Sequence, residues 1–294
     1  MEVDGVFSGG GIRGIAFIGA IQVLEERGFH FKRVAGTSAG SLVAALLASG
    51  FNSEEMYREI RNISAGELLD KRKLQIPFPI LRWLPLYWRM GLYKGDRLEE
   101  WIRMLLEKKG VRTFSDLPPG VLKIVASDLS NGKILIIPDE LHHYDLSPES
   151  FPVARAVRMS CTVPYFFEPV RMKYRNQVAV IVDGGVLSNF PMWLFAGKRG
   201  KQKRPVIGIN LSPKLDEYPA NEITNALELF EALFKTMKDA HDNRYISHRH
   251  AKNIIFLPTK GISSLDFSDD DAQVEYLIAT GREETIKFLK SWYF

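Results

Sequence analysis

Apolar and polar positions along this chain change period repeatedly, and the changes predict strands alternating with helices. Residues 3–7 read as a short buried strand. Over 15–27 apolar side chains such as Ile15, Ile18, Ile21 and Leu24 recur at helical spacing, and Gly28 supplies the stop. A β-rich run at 31–35 feeds a helix-forming run at 42–49 closed by Gly50, and Ser53 is the expected cap of the next helix. An amphipathic helix follows over 96–109, then paired strands at 122–127 and 133–137 turned by Asn131-Gly132. Further on, the pattern predicts a short helix over 152–160 and strands at 170–174 and 178–182. A buried strand at 206–211, a long helix over 221–248, a strand at 253–257 and a helix over 269–290 complete the chain. Without a repeat, low-complexity tract or clear linker, one domain over residues 1–294 is the expectation.

Composition changes this picture little. Of 294 residues, 46% are hydrophobic and 25% charged, so a large core can form without metal or disulfide. A net charge of only +4 gives no reason to expect nucleic acid as a partner. Cys161 is the only cysteine, which excludes an intramolecular disulfide and a cysteine-based zinc site. The start at Met1 shows neither a basic n-region nor an apolar h-region, and no long uncharged apolar run follows. We therefore expect a cytoplasmic protein without signal peptide or transmembrane helix.

Chemistry enters at Gly36-Thr37-Ser38-Ala39-Gly40, a G-x-S-x-G run between predicted strand and predicted helix. That context is a nucleophile elbow, which presents a serine Oγ at a helix N-terminus where the dipole favours negative charge. Upstream, Gly9-Gly10-Gly11-Ile12-Arg13-Gly14 also satisfies the dinucleotide pattern G-x-G-x-x-G. A dinucleotide site wants an acid at the end of the second strand, and the elbow stands there instead. The glycines suit an oxyanion hole better, with backbone N–H groups aimed at a developing negative charge. Between Gly11 and Ser38 there is room for one helix out and one strand back. For Arg13 two readings stand: holding a phosphate or carboxylate near the site, or pairing with a structural acid.

A nucleophilic serine needs a base. Asp183 ends an apolar strand and is followed by Gly184 and Gly185, which keep side chains out of its way. A carboxylate in a half-buried cleft can have its pKa raised enough to accept a proton. A Ser–Asp–His triad fits less well, because only one predicted strand precedes Ser38. The six histidines (His30, His142, His143, His241, His248, His250) fall near turns, in a loop or on a polar helix.

In that order and spacing, the Gly9–Gly14 run with its preceding Ser8, the Ser38 elbow and Asp183-Gly184-Gly185 resemble the patatin-like phospholipase family. Residues 156–169, which include Ser160 and Pro164, resemble that family's Ser/Pro block, and together the motifs cover roughly 3–210. The resemblance implies a three-layer α/β/α fold with a central, mostly parallel sheet, completed by residues 211–294. It implies a Ser–Asp dyad with Ser38 as nucleophile and Asp183 as base, and Gly10, Gly11 and Arg13 at the oxyanion and phosphate site. It implies no metal and no cofactor. The activity implied is a lipid acyl hydrolase of the phospholipase A or lysophospholipase type. A general carboxylesterase or thioesterase on soluble esters, and a catalytically silent lipid-binding module, are the alternatives.

One stretch stands apart. From Leu74 to Tyr93 the chain carries three prolines, five aromatics (Phe78, Trp83, Tyr87, Trp88, Tyr93) and no acid, with Lys71, Arg72, Lys73, Arg82, Arg89 and Lys94 in or beside it. Proline rules out one long regular helix. Aromatics beside lysine and arginine suit a peripheral membrane contact or lid; an acyl-channel wall or a dimer contact is the other reading. The basic run at 198–204 reads as a solvated turn.

Overall fold

In the computed structural model, β1 (Glu2–Phe7), α1 (Ala16–Glu26), β2 (His30–Thr37), α2 (Ala39–Ala48) and α3 (Ser53–Arg61) form the first third of the chain. The residues described are 1–70, 84–195, 204–212, 223–224, 229, 232–233, 236–237, 252–259, 262–264 and 270–292. The middle holds α4 (Leu84–Arg89), β3 (Gly91–Tyr93), α5 (Asp96–Glu107), β4 (Leu122–Asp128), β5 (Lys133–Ile137) and α6 (Val153–Ser160). Then come β6 (Tyr165–Phe167), β7 (Val170–Tyr174), β8 (Gln177–Asp183), β9 (Val206–Asn210), β10 (Ile254–Phe256) and α7 (Asp271–Ser291).

The main sheet has the order β10-β9-β1-β2-β4-β8-β7, with β5 also paired to β4. From β10 to β4 all neighbours are parallel; β5, β8 and β7 pair antiparallel. The strands are short apolar runs because most are buried on both faces. Alternation sends Val3 and Phe7 of β1 into the larger apolar cluster, with α1, α2 and α7, and sends Val6 to the other face. There Phe190, Met192 and Phe195 cover Val6 and Ala35. A central sheet flanked by helices is the α/β class that the resemblance implies.

The predicted elements recur with shifted ends, and some differences are instructive. Asn52, not Ser53, caps α3: Asn52 is extended (φ −94°), accepts from Glu55 N–H, and donates its own N–H to the Glu55 carboxylate. Ser53 is already helical, and its N–H and hydroxyl donate to Glu25. The glycine run leads first into a 3-10 turn (Gly11–Ile15), with α1 beginning after it. Within 74–93, α4 and β3 are short, α4 ending before Met90 with its left-handed backbone (φ +59°), and β3 pairs with β6 in a separate two-stranded ribbon. Most of the predicted 221–248 helix, residues 198–203 and residues 71–83 lie outside the described residues.

Candidate active site

The site is assembled where two strands end on one edge of β4. On β4, Ile124 pairs with Gly36 of β2 on one side and with Ile137 of β5 on the other. Ala126 pairs with Leu135 of β5 and with Asp183 of β8. With β5 on the far edge throughout, β2 and β8 share the near edge and run toward each other. Thr37, the last residue of β2, faces Val125; Asp183, the last of β8, faces Ala126. The two strand ends are thus one residue apart along β4, a rise of about 3.3 Å. The sequence reading put Asp183 at the carboxyl end of a strand, as in parallel α/β sheets. It is at the carboxyl end, but of a strand running the opposite way.

Gly184 makes this meeting fit. A Cβ there would lie 2.2 Å from Val125 O and 3.0 Å from Thr37 Cγ2, so only glycine can turn the chain away from β4 at that point. Asp183 is fully buried. Its N–H donates to Thr162 O at 2.7 Å, and Gly185 N–H donates to Asp183 Oδ1 at 2.7 Å.

Ser38 sits on the turn from β2 into α2 with φ +53° and ψ −126°. Left-handed backbone in a residue with a Cβ costs about 1–3 kcal/mol and persists only when its surroundings fix it. Here they do. Ser38 N–H donates to Ser160 Oγ at 2.8 Å, and the Ser160 hydroxyl donates to Val125 O at 2.6 Å. Ser38 O accepts from Ser41 N–H and Ser41 Oγ. Gly36 and Gly40 close the bend, since a Cβ on Gly36 would lie 2.1 Å from Gly40 O.

The glycine run packs directly on this bend. Gly9 faces the Ser38 Cβ and Asn189 Oδ1, Gly10 faces Leu211, and Gly14 faces the Ala39 Cβ. Gly11 has φ +59° and meets Ser264 O. Gly9 N–H donates to Asn189 O and Ile12 N–H to Ser264 O. Between them, no backbone hydrogen bond engages the N–H of Gly10 or Gly11 among the described residues. Arg13 donates from Nε to Gly10 O at 3.2 Å, bracing the same loop.

Ser38 and Gly11 line a cavity of about 420 Å³ whose other walls are mainly apolar, Leu42, Val43, Leu98, Trp101 and Phe166 among them. Arg61 and Asp271, which form an ion pair between α3 and α7, also line it. Ser264, Asp271 and Val274 thus bring the last part of the chain, where the sequence showed no diagnostic motif, into the wall. Cys161 lies in the same wall, its Sγ 4.0 Å from Ser41 Oγ. Burial and the nearby Asp183 charge push its thiol up to about 12. His30, His142 and His143 are exposed; the other three histidines lie outside the described residues.

Ser160, Thr162 and Asn189 were not singled out individually by sequence reasoning. For Ser160 there was a pointer, its place in the Ser/Pro-containing block; nothing local marked Thr162 or Asn189, whose carbonyls accept from Asp183 and Gly9, far away in sequence.

Comparison with known proteins places the chain among relatives. A family model described as patatin-like phospholipase matches residues 5–196. The uncharacterised protein YqhO of Bacillus subtilis is 54% identical over 99% of both chains. A triacylglycerol lipase of Schizosaccharomyces pombe, ptl3, is 26% identical over 64% of this chain and 38% of its own length. In fold, the crystal structure of VipD from Legionella pneumophila is similar, with a TM-score of 0.59 at 19% identity, covering 99% of this chain and 67% of that one. With the match spanning most of the sheet and both strand ends, the chain belongs to the patatin-like phospholipase family.

Proposed function

We propose that this chain is a lipid acyl hydrolase that cleaves fatty-acyl esters through an acyl-enzyme, with phospholipid or lysophospholipid as first-choice substrate. Ser38 Oγ attacks the ester carbonyl while Asp183 accepts its proton. The Gly10 and Gly11 amides hold the oxyanion within the Gly9–Gly14 loop, with Arg13 bracing it. Protonated Asp183 then donates to the leaving alcohol, and water releases the fatty acid by the reverse path. The observation that carries this reading is the convergence of β2 and β8 on one edge of β4, with Ser38 on the wall of an apolar cavity. Membership of a phospholipase family and similarity to a triacylglycerol lipase favour an acyl ester of a glycerolipid over a soluble ester. No cofactor takes part in the scheme.

The test is hydrolysis of defined phospholipids, with product analysis and fluorophosphonate labelling. Ser38→Ala abolishes both labelling and turnover. Asp183→Asn leaves a hydroxyl without its base and lowers turnover by roughly 10⁴-fold or more. Replacing any one histidine leaves turnover within about twofold of wild type. Full activity in Ser38→Ala, or an essential histidine, would end the dyad assignment.

A further inference from the structure

Arg158, on α6, is a buried charge to which the hydrolase scheme gives no role. Its side chain is 3% exposed. The acids whose charge reaches it are engaged elsewhere: Glu99 by Arg155 at 2.8 Å, and Asp70 by the N–H groups of Gly95 and Asp96. Taking a guanidinium out of water without a counter-ion is costly unless hydrogen bonds replace the lost water. Here they do. Nε donates to Gly95 O at 2.9 Å, Nη1 to Thr162 Oγ1, and Nη2 to both Lys94 O and Glu168 O, the latter at 3.0 Å. The guanidinium also lies over the Phe167 ring, 5.1 Å from its centroid.

Those acceptors come from three separate places in the chain. Lys94 and Gly95 form the corner between β3 and α5, Glu168 follows β6, and Thr162 lies two residues beyond the end of α6. Gly95 makes room for the fork, since a Cβ there would lie 2.1 Å from Arg158 Nε. The Thr162 hydroxyl returns the bond, donating to Arg158 O at 2.8 Å. The planar fork and this return bond together fix the backbone as it leaves α6.

That short stretch of backbone grips both members of the proposed dyad. Ser160 Oγ takes the Ser38 N–H at 2.8 Å, and two residues on Thr162 O takes the Asp183 N–H at 2.7 Å. Asp183 is the last residue of β8, so a shift of Thr162 O moves the end of that strand and the carboxylate with it. Misplacing a reacting group by about 1 Å can cost roughly 10²-fold in rate.

We propose that Arg158 is a positioning residue for the reaction, holding the Asp183 carboxylate in register with Ser38 by way of Thr162. This rests on the Ser38–Asp183 reading of the site.

The test is steady-state hydrolysis of a soluble short-chain p-nitrophenyl ester by the full chain. Turnover is expressed per serine labelled by a fluorophosphonate, so that misfolded chains are not counted. Arg158→Lys keeps the charge and loses the fork, and kcat per labelled serine is expected to fall roughly tenfold to a hundredfold with KM within about twofold. Thr162→Val removes only the hydroxyl from a side chain of similar shape and lowers kcat about tenfold; Thr162→Ser recovers most of that loss. Joining Arg158→Lys to Thr162→Val costs little beyond Arg158→Lys alone, because both cut the same link. Where Arg158→Lys fails to fold, Thr162→Val set against Thr162→Ser decides. Wild-type kcat in Thr162→Val, or losses that multiply in the double variant, overturns the proposal. So does a rise in KM at constant kcat, which would make Arg158 a fastener of the cavity wall at Phe167. Turnover that survives Ser38→Ala or Asp183→Asn would defeat the dyad reading instead, whatever the Arg158 and Thr162 variants do.

Discussion

Ser160 Oγ faces two backbone groups at once, accepting from Ser38 N–H and donating to Val125 O. Both are buried, so neither can turn to water when the hydroxyl is removed. Leaving buried polar groups unpaired costs about 1–3 kcal/mol, and one of these groups belongs to the strained residue proposed as nucleophile. Ser160→Ala should therefore lower kcat by roughly tenfold to a hundredfold, with KM within about twofold, because the loss falls on the placement of Ser38 and not on the apolar cavity. Thr at this position retains a hydroxyl and recovers part of the rate. If Ser160→Ala destabilises the fold yet turns over normally, Ser160 serves packing alone. The same dependence explains why Ser160 was hard to single out from sequence: both of its bonds are to residues far away in the chain.

At the scale of elements, α1 and α7 cross where each presents a glycine. A Cβ on Gly281 would lie 2.0 Å from Ala16 O, and one on Gly19 would lie 2.0 Å from Ile278 O. Helix propensity alone says that Gly281→Ala stabilises α7 by about 1 kcal/mol. The backbone contact says the reverse, because the two helices must separate, and overpacking costs about 1–3 kcal/mol. We expect the contact to win, with Tm falling by several degrees in a thermal melt; a rise in Tm would show that the helices can part cheaply. How far elements were legible follows the same division between local and distant causes. Helical spacing in Ile15 to Leu24, strand-length apolar runs and Asn131-Gly132 are local, and the helices, strands and hairpin they predict are present. The elbow at Ser38 was legible because small residues around a serine between strand and helix leave one way to bend. The direction of β8 was not, since an apolar strand of that length reads the same parallel or antiparallel. Its hairpin with β7 and its landing on β4 depend on pairing partners far off in sequence. The cap of α3 was misplaced by one residue because Asn52 and Ser53 are equally good caps; Glu25, distant in sequence, takes up Ser53.

For the molecule as a whole, the sole cysteine connects the site to global stability. Cys161 follows α6, between the residue that holds Ser38 and the one that holds Asp183. Burial and the Asp183 charge raise its thiol from 9.0 to about 12, while Ser41 and Arg158 oppose the shift less strongly. Unfolded, this thiol ionises near its ordinary value. Above that value the unfolded chain has lost the proton and the folded chain still holds it, so the unfolded state binds fewer protons and stability falls as pH rises. The stability present below about pH 9 is lost progressively up to about pH 12. Lysines and tyrosines titrate in the same window, so the wild-type curve alone does not isolate the thiol. Cys161→Ala removes this group and nothing charged. Denaturant melts between pH 8 and pH 11 should give a shallower alkaline decline for Cys161→Ala than for the wild type, the two curves converging as pH rises. Iodoacetamide should modify wild-type Cys161 slowly at pH 8 in native buffer and quickly in denaturant, because the thiolate is the reactive form and the fold suppresses it. Parallel curves for the two proteins, together with fast native alkylation, would show that burial and the Asp183 charge do not hold this partly exposed thiol protonated in the folded chain.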